Sequence, residues 1–387
     1  MTIGLDAEPA RAARGATDPR AGIRQIGVEE ELLLVDAETF LPRPVAGSIL
    51  RSGALVLPCG SRLEPEVKRE QIEIVSAPVT TFAEVLGAVV EGRRSADALA
   101  QRVGARAVAL ATPHVGCEPH LMRVPRYERM RNRFGLTMDE QLTCGLHVHV
   151  TIASAEEGVA VLDRIRPWLP VLLALSANSP FWHGVDSRFA SYRYQAWSRW
   201  PCAGAYDPFG NAQGYAAAVA DALASGVPLD HGMIYFDARL STHAPTVEIR
   251  ISDVCLDPRD SACLAVLARA LVETAADAWR RGVEPAGTST AMLRLASWRA
   301  SRWALGGQLV DPVTERLVPA RAAVTALFAH VRKAFASDDE ARTVRAWLDA
   351  MLTRGTGADL QRRAAARGGQ EAVVGEALAR MAGDHSE

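Results

Sequence analysis

Residues 26–35 read IGVEEELLLV, and the organisation of the chain follows from how that stretch folds. Aliphatic and β-branched residues run up to a turn at Asp36–Thr39, which predicts a strand. Side chains of a strand alternate, so residues two apart share a face at a spacing of about 6.6 Å. Glu29 and Glu31 therefore point one way and Glu30 the other. Two like charges this close are costly to bury without a cation. A solvated edge strand is the plain alternative, and the adjoining Leu32–Val35 argue against full exposure.

The same alternation recurs downstream. Gln71 and Glu73 share a face in QIEIV (71–75). His147 and His149 share one in CGLHVHVTI (144–152), with Val148 and Val150 toward the core. Asp237 and Arg239 share one in MIYFDARL (233–240). Thr246, Glu248, Arg250 and Ser252 do so in TVEIRISDV (246–254), backed by Val247, Ile249 and Ile251. Several strands carrying acids, imidazoles and guanidiniums predict a sheet with one functional polar face. Carboxylates from separate strands suit Mg²⁺. The HxH pair also admits Zn²⁺ or a purely structural role. The acidic surplus and the two arginines favour an anion held over cations. Arg250 suits a bidentate clamp on a carboxylate or phosphate, with a structural Glu–Arg lattice as the alternative. No Walker loop, dinucleotide fingerprint or GxSxG elbow is present.

Around these strands the pattern predicts a hairpin-like return at 48–57, a helix over 81–104, a short strand over 105–111 and a loop to about Met130. Helices follow over 155–178, bent at Pro170, and over 211–226, with an aromatic, helix-compatible segment at 186–201. Beyond Pro258 the chain reads as helical, over 260–281, 288–302, 320–333, 338–352 and 371–381. Polar strands joined by short turns favour an α+β fold, a mainly antiparallel sheet with flanking helices and a helical C-terminal third. Residues 1–24 are expected to form a disordered leader and 25–375 a single catalytic domain. Within that domain, the sheet-forming part is placed at 25–257 and the helical part at 258–375, with a tail at 376–387.

Composition narrows the setting. The 387 residues are 49% hydrophobic with a formal net charge of −2, which suits a globular protein and gives no general nucleic-acid-binding signal. The apolar run Trp168–Phe181 is interrupted by Pro170, Ser176, Asn178, Ser179 and Pro180, so no membrane span is expected. Six cysteines without a CxxC pair read as reduced thiols, consistent with a cytoplasmic protein.

A family resemblance joins these pieces. GVEEELLLVD (27–36), REQIEIVSAPVT (69–80), CGLHVHV (144–150), LLALSANSPFWHGVDSRFASYR (172–193), YFDARLSTHAPTVEIRISDVC (235–255) and RGTGADLQR (354–362) occur in this order. The chain resembles the YbdK-type carboxylate–amine ligases, the glutamate–cysteine ligase type 2 family of the glutamine synthetase-like superfamily. The resemblance implies a curved antiparallel sheet forming a funnel, ATP with Mg²⁺ (Mn²⁺ as substitute), amino-acid carboxylate and amine substrates, and a homodimer. It places the metal at Glu29, Glu31, Glu73, His149 and Glu248. Nucleotide and substrate contacts fall to His147, His149, Asn178, Asp237, Thr246 and Arg250, and catalysis to Arg250, Arg239 and Glu248. Tyr235 stands where the family commonly has Trp.

The implied reaction is activation of a carboxylate by ATP to an acyl phosphate, followed by attack of an amine to give an amide, with γ-glutamylcysteine as the inherited product. A phosphotransferase is the runner-up. A zinc hydrolase ranks third, and a non-enzymatic binding protein last because it leaves the repeated acidic faces unexplained.

Overall fold

The structure, a computed structural model, describes residues 22–51 and 55–381. The opening stretch is β1 (Ile26–Asp36), long enough to act as the spine of the sheet. Around it lie β2 (Arg62–Pro65), β3 (Gln71–Val75), β4 (Ala105–Val108) and β5 (Gly145–Thr151). A small ribbon of β6 (Phe181–Trp182) and β7 (Val185–Asp186) precedes β8 (Ala238–Leu240) and β9 (Thr246–Asp253). The main sheet runs β2-β3-β1-β5-β9-β8, with β4 also on β1, and every pairing is antiparallel. A second ribbon, β10 (Gln308–Val310) with β11 (Leu317–Pro319), sits among the C-terminal helices. The expected α+β architecture is therefore present.

The sheet has two unlike faces because its strands alternate. Val28, Leu32, Ile72, Ile74, Leu146, Val148, Val247 and Ile249 are buried and form cores with the helices. The helices that pack on that side include Phe82–Gln101 and Pro258–Arg280. The first starts in a capping box, Thr81 with Glu84, which satisfies two orphan N–H groups. It lies so close to β3 that a Cβ at Gly92 would stand 2.9 Å from Ile74 Cγ2. The second is capped by Asp257, begins with Pro258, and is buried along most of its length.

Several elements differ from the sequence reading. The return at 48–57 begins as a short helix, Ala46–Arg51, whose buried Ala46 and Ile49 are too few to register as a helical period. Ser52–Ala54 lie outside the described residues. The loop before Met130 contains the helix Pro125–Phe134, started by proline at N1 and nearly all polar. The bend assigned to Pro170 falls instead at the turn Arg166–Trp168. Pro170 sits in the first turn of the helix Leu169–Ser176, where its missing N–H has no partner to lose. Of MIYFDARL only residues 238–240 are strand, and 231–233 form a 3₁₀ turn.

The boundaries move as well. Arg24 is already buried and ion-paired with Glu157 at 2.7 Å and Glu273 at 2.5 Å, so the ordered body starts before residue 25. The helix Gly357–Met381, kinked at Gly368–Gly369, runs through the expected tail and buries Ala377 and Met381. Residues 1–21, within the expected leader, and 382–387 lie outside the described residues.

Candidate active site

Residues opposed across antiparallel strands share a face. The register pairs Glu64 with Glu73, Glu73 with Glu31, Glu29 with His147, His149 with Glu248, and Glu248 with Arg239. One polar row thus crosses six strands. Between β5 and β9 the register shifts, so Arg250 and Ile251 both lie opposite His147. The bulge pairs Ser252 with Leu146 and takes Ser252 out of the row that strict alternation had assigned it.

Contacts within the row centre on Glu29. His147 Nδ1 lies 3.1 Å from Glu29 Oε2, and its Nε2 lies 4.0 Å from Glu31 Oε1. His149 Nε2 is 3.1 Å from Glu29 Oε1 but lacks hydrogen-bond geometry there, while its Nδ1 is 3.0 Å from Thr246 Oγ1. Glu31 Oε2 accepts the Gly145 N–H at 2.6 Å. Glu248 is gripped by two arginines. Arg239 Nε donates to it at 2.7 Å, and Arg250 Nη1 makes a short contact with its other oxygen.

Burial and like charge shape the titration of this row. Burial, then Glu29, Glu66 and Glu31, pushes the Glu73 carboxyl well above its usual range. Burial and Glu31 push Glu66 up to about 8. Burial would raise Glu29 too, but His147 and His149 hold it well below its ordinary value. Burial likewise opposes ionisation of Glu248, and Arg250 and Arg239 overcome it to keep the carboxyl low. Burial and then Arg250 lower His147, whereas Glu29 raises His149 against the effect of burial.

The row fits a divalent cation. Three sets of ligand atoms each lie within 4.8 Å of one another: Glu29, Glu73 and His147; Glu29, His149 and Glu248; Glu31, Glu66 and Glu73. Oxygen-rich sets of this kind match Mg²⁺, and a cation would relieve the repulsion that raises Glu66 and Glu73.

The structure brings together Glu29, Glu31, Glu73, His147, His149, Glu248, Arg239 and Arg250. Thr246 joins them through His149. Asp237 does not share this face as strand alternation had it. The backbone bends there, and its carboxyl meets the Tyr194 hydroxyl at 3.2 Å, where burial lifts it to about 7. Only its carbonyl reaches the row, accepting the Arg250 N–H at 2.9 Å. Asn178 is fully buried, with Nδ2 donating to Ala109 O and Val254 O and Oδ1 accepting from Gln361. These bonds engage both the amide nitrogen and the amide oxygen of its side chain. The sequence reading passed over Glu66. Its signal was the alternation Glu64-Pro65-Glu66, which continues the polar face of β2 one step past the strand's end.

Comparison with known proteins matches residues 25–381 to glutamate-cysteine ligase family 2. A Paenarthrobacter aurescens protein with the provisional name glutamate–cysteine ligase 2-1 is 49% identical over 353 residues, covering 90% of this chain and 92% of that one. A Streptomyces avermitilis protein with the same provisional name is 47% identical, with coverage of 90% and 96%. Among solved structures, the fold is similar to a bifunctional glutathione synthetase from Pasteurella multocida (TM-score 0.65, 14% identity, 93% of this chain and 52% of that one). It is also similar to a glutamate–cysteine ligase from Francisella tularensis in complex with AMP (TM-score 0.64, 13% identity, 95% and 90%).

Proposed function

The chain belongs to glutamate-cysteine ligase family 2 and is an ATP-dependent carboxylate–amine ligase, and on that premise we propose that its polar sheet face is where the carboxylate is activated. The observation that supports this assignment most is the linkage of three cation-sized ligand sets through their shared members Glu29 and Glu73. Glu29, Glu31, Glu73 and Glu248 would hold Mg²⁺, or Mn²⁺ in its place, with Glu66 added and His149 as a nitrogen donor. When bound, such an ion neutralises phosphate charge and polarises phosphoryl oxygens.

The chain's own residues then have distinct tasks. Thr246 fixes the ring of His149 through Nδ1. Arg250, held beside Glu248, and Arg239 on the neighbouring strand counter charge that spreads over the phosphoryl group in transfer. A carboxylate oxygen of the substrate attacks the γ-phosphorus and ADP leaves. The amine then attacks the acyl carbon, phosphate departs, and a proton is lost from nitrogen. Activation is required because an ionised carboxylate is a poor acyl donor.

We take both substrates to be amino acids, and the relatives' names make glutamate and cysteine the first pair to test. A cytoplasmic homodimer belongs to the same reading. Among the described residues no helix is long and apolar enough to cross a membrane. The test is a pairwise screen of amino acids and amines with ATP and Mg²⁺, measuring ADP and identifying products by mass. ADP that appears only when both partners are present, with an amide product, supports the ligase. ADP with the carboxylate alone and a stable phosphorylated product would make the protein a phosphotransferase.

A further inference from the structure

Arg93, Arg166 and Arg269 head the fully buried side chains by volume. Two of them bring their counter-charge with them, since Arg93 is paired with Glu30 and Arg269 with Glu340. Arg166, in the turn Arg166–Trp168, makes no ion pair among the described residues. A buried charge without a partner is costly.

Two of its nitrogens are spent on neutral oxygens. Nε donates to Tyr206 O at 2.8 Å, and Nη2 donates to Thr288 O and Thr290 Oγ1, each at 3.3 Å. Nη1 is buried and has no partner. The nearby acids do not supply the missing charge. Asp163 accepts the Phe209 and Gly210 N–H groups at 2.8 Å, and Asp207 accepts the Thr290 hydroxyl. Burial lowers the pKa of Arg166, and the two aspartates, acting from beyond ion-pair distance, do not make up the loss.

Arg166 lines a cavity, and Nη1 is the nitrogen left to face it. Leu169 and Leu293 form apolar walls, and Ser297 of the helix Thr290–Trp303 adds a hydroxyl. Asp237 closes another side. Its carboxyl accepts from Tyr194 at 3.2 Å and is raised to about 7 by burial, so in mildly acidic solution it is mostly uncharged and repels an anion little. The free space takes a group about the size of one water. Sulfate, a nucleotide or an amino acid is too large for it. A water would satisfy the N–H but leave the guanidinium charge unmatched.

We propose that this cavity binds a monatomic monovalent anion, chloride or its surrogate bromide, as the counter-ion of Arg166. The cavity lies behind the active face. Asp237 belongs to both, with its carboxyl on the cavity wall and its carbonyl accepting the Arg250 N–H at 2.9 Å. The anion completes the support beneath Arg250. The site goes beyond the ligase reading, because a space this small admits neither nucleotide nor amino acid.

The test uses the full-length protein with bromide as the probe. Crystals grown in sodium bromide in mildly acidic buffer should show a bromine anomalous peak in contact with Arg166 Nη1. In solution, bromide or chloride replacing gluconate at constant ionic strength should raise the melting temperature by roughly a few degrees, and the rise should saturate. Arg166→Met should abolish that rise. If Arg166→Met does not fold, Ala205→Val, which narrows the cavity and keeps the arginine, takes its place and should abolish the rise as well. A cavity without a bromine peak would overturn the proposal. So would a rise that does not saturate, or one of equal size in the folded variant, since both mark a general salt effect and not a site.

Discussion

The two faces of β1 treat neighbouring glutamates in opposite ways. Glu30 points into the core, where Arg93 meets it with two bonds of 2.7 Å and Ser261 Oγ donates at 2.6 Å. Arg93 is itself fully buried and also binds Cys255 O and Leu256 O. Charge and hydrogen bonds are balanced within the chain. On the other face Glu31, Glu66 and Glu73 converge, and none of them has an arginine ion pair among the described residues, because Arg239 and Arg250 are both engaged on Glu248. Glu30, turned to the core and neutralised by Arg93, is structural. Crowded carboxylates that lack such a partner are arranged for an outside cation.

The largest expected effect breaks or confirms that contrast directly. Glu29→Ala and Glu248→Ala should each lower ATP turnover by about 10³-fold or more, the scale of losing a charge-stabilising group, while circular dichroism stays native. Full activity in both variants would end the site assignment. Glu30→Ala should behave in the reverse manner. Removing one partner of a buried ion pair costs about 3–5 kcal/mol, so its urea midpoint should fall sharply. A midpoint unchanged from the parent would mean that the Arg93 pair contributes little to folding.

A smaller effect separates the two arginines from a passive lattice. Arg250→Lys keeps the charge beside Glu248 but loses the planar fork, and should lower kcat by about 10²-fold. Unchanged catalytic efficiency would mean that Arg250 only holds Glu248 in place.

Strand alternation made much of this site legible in the sequence. Glu29, Glu31, Glu73, His147, His149 and Glu248 all lie where a two-residue period puts them, since each sits inside a regular strand. The rule failed where the backbone leaves regularity. Ser252 is shifted by the β5–β9 bulge, and Asp237 sits at a bend one residue before β8. Glu66 was hidden for the same reason, lying one residue beyond the end of β2. Fold class was easier to read, because the polar strands and the helical C-terminal region each carry a strong period, whereas the short polar helix Pro125–Phe134 buries only Met130.

The smallest effect concerns pH, and it tests the same contrast in the protein without substrate. Glu66 has an ordinary value of 4.5 and is raised to about 8, and Glu73 is raised in the same direction. A carboxyl raised on folding contributes stability that is complete below its unfolded value and is lost as pH climbs through its folded one. In cation-free buffer the melting temperature should therefore fall by roughly a few degrees between about pH 5 and 8, and Glu66→Gln should flatten that fall. Mg²⁺ competes with protons for these oxygens, so its stabilising effect should be larger at pH 8 than at pH 6. Glu30 is not available to the ion, because its oxygens are already taken by Arg93 and Ser261. Equal stabilisation by Mg²⁺ at both pH values, in the parent and in Glu66→Gln alike, would place the bound cation away from the Glu31–Glu66–Glu73 set and leave Glu29, His149 and Glu248 as its ligands.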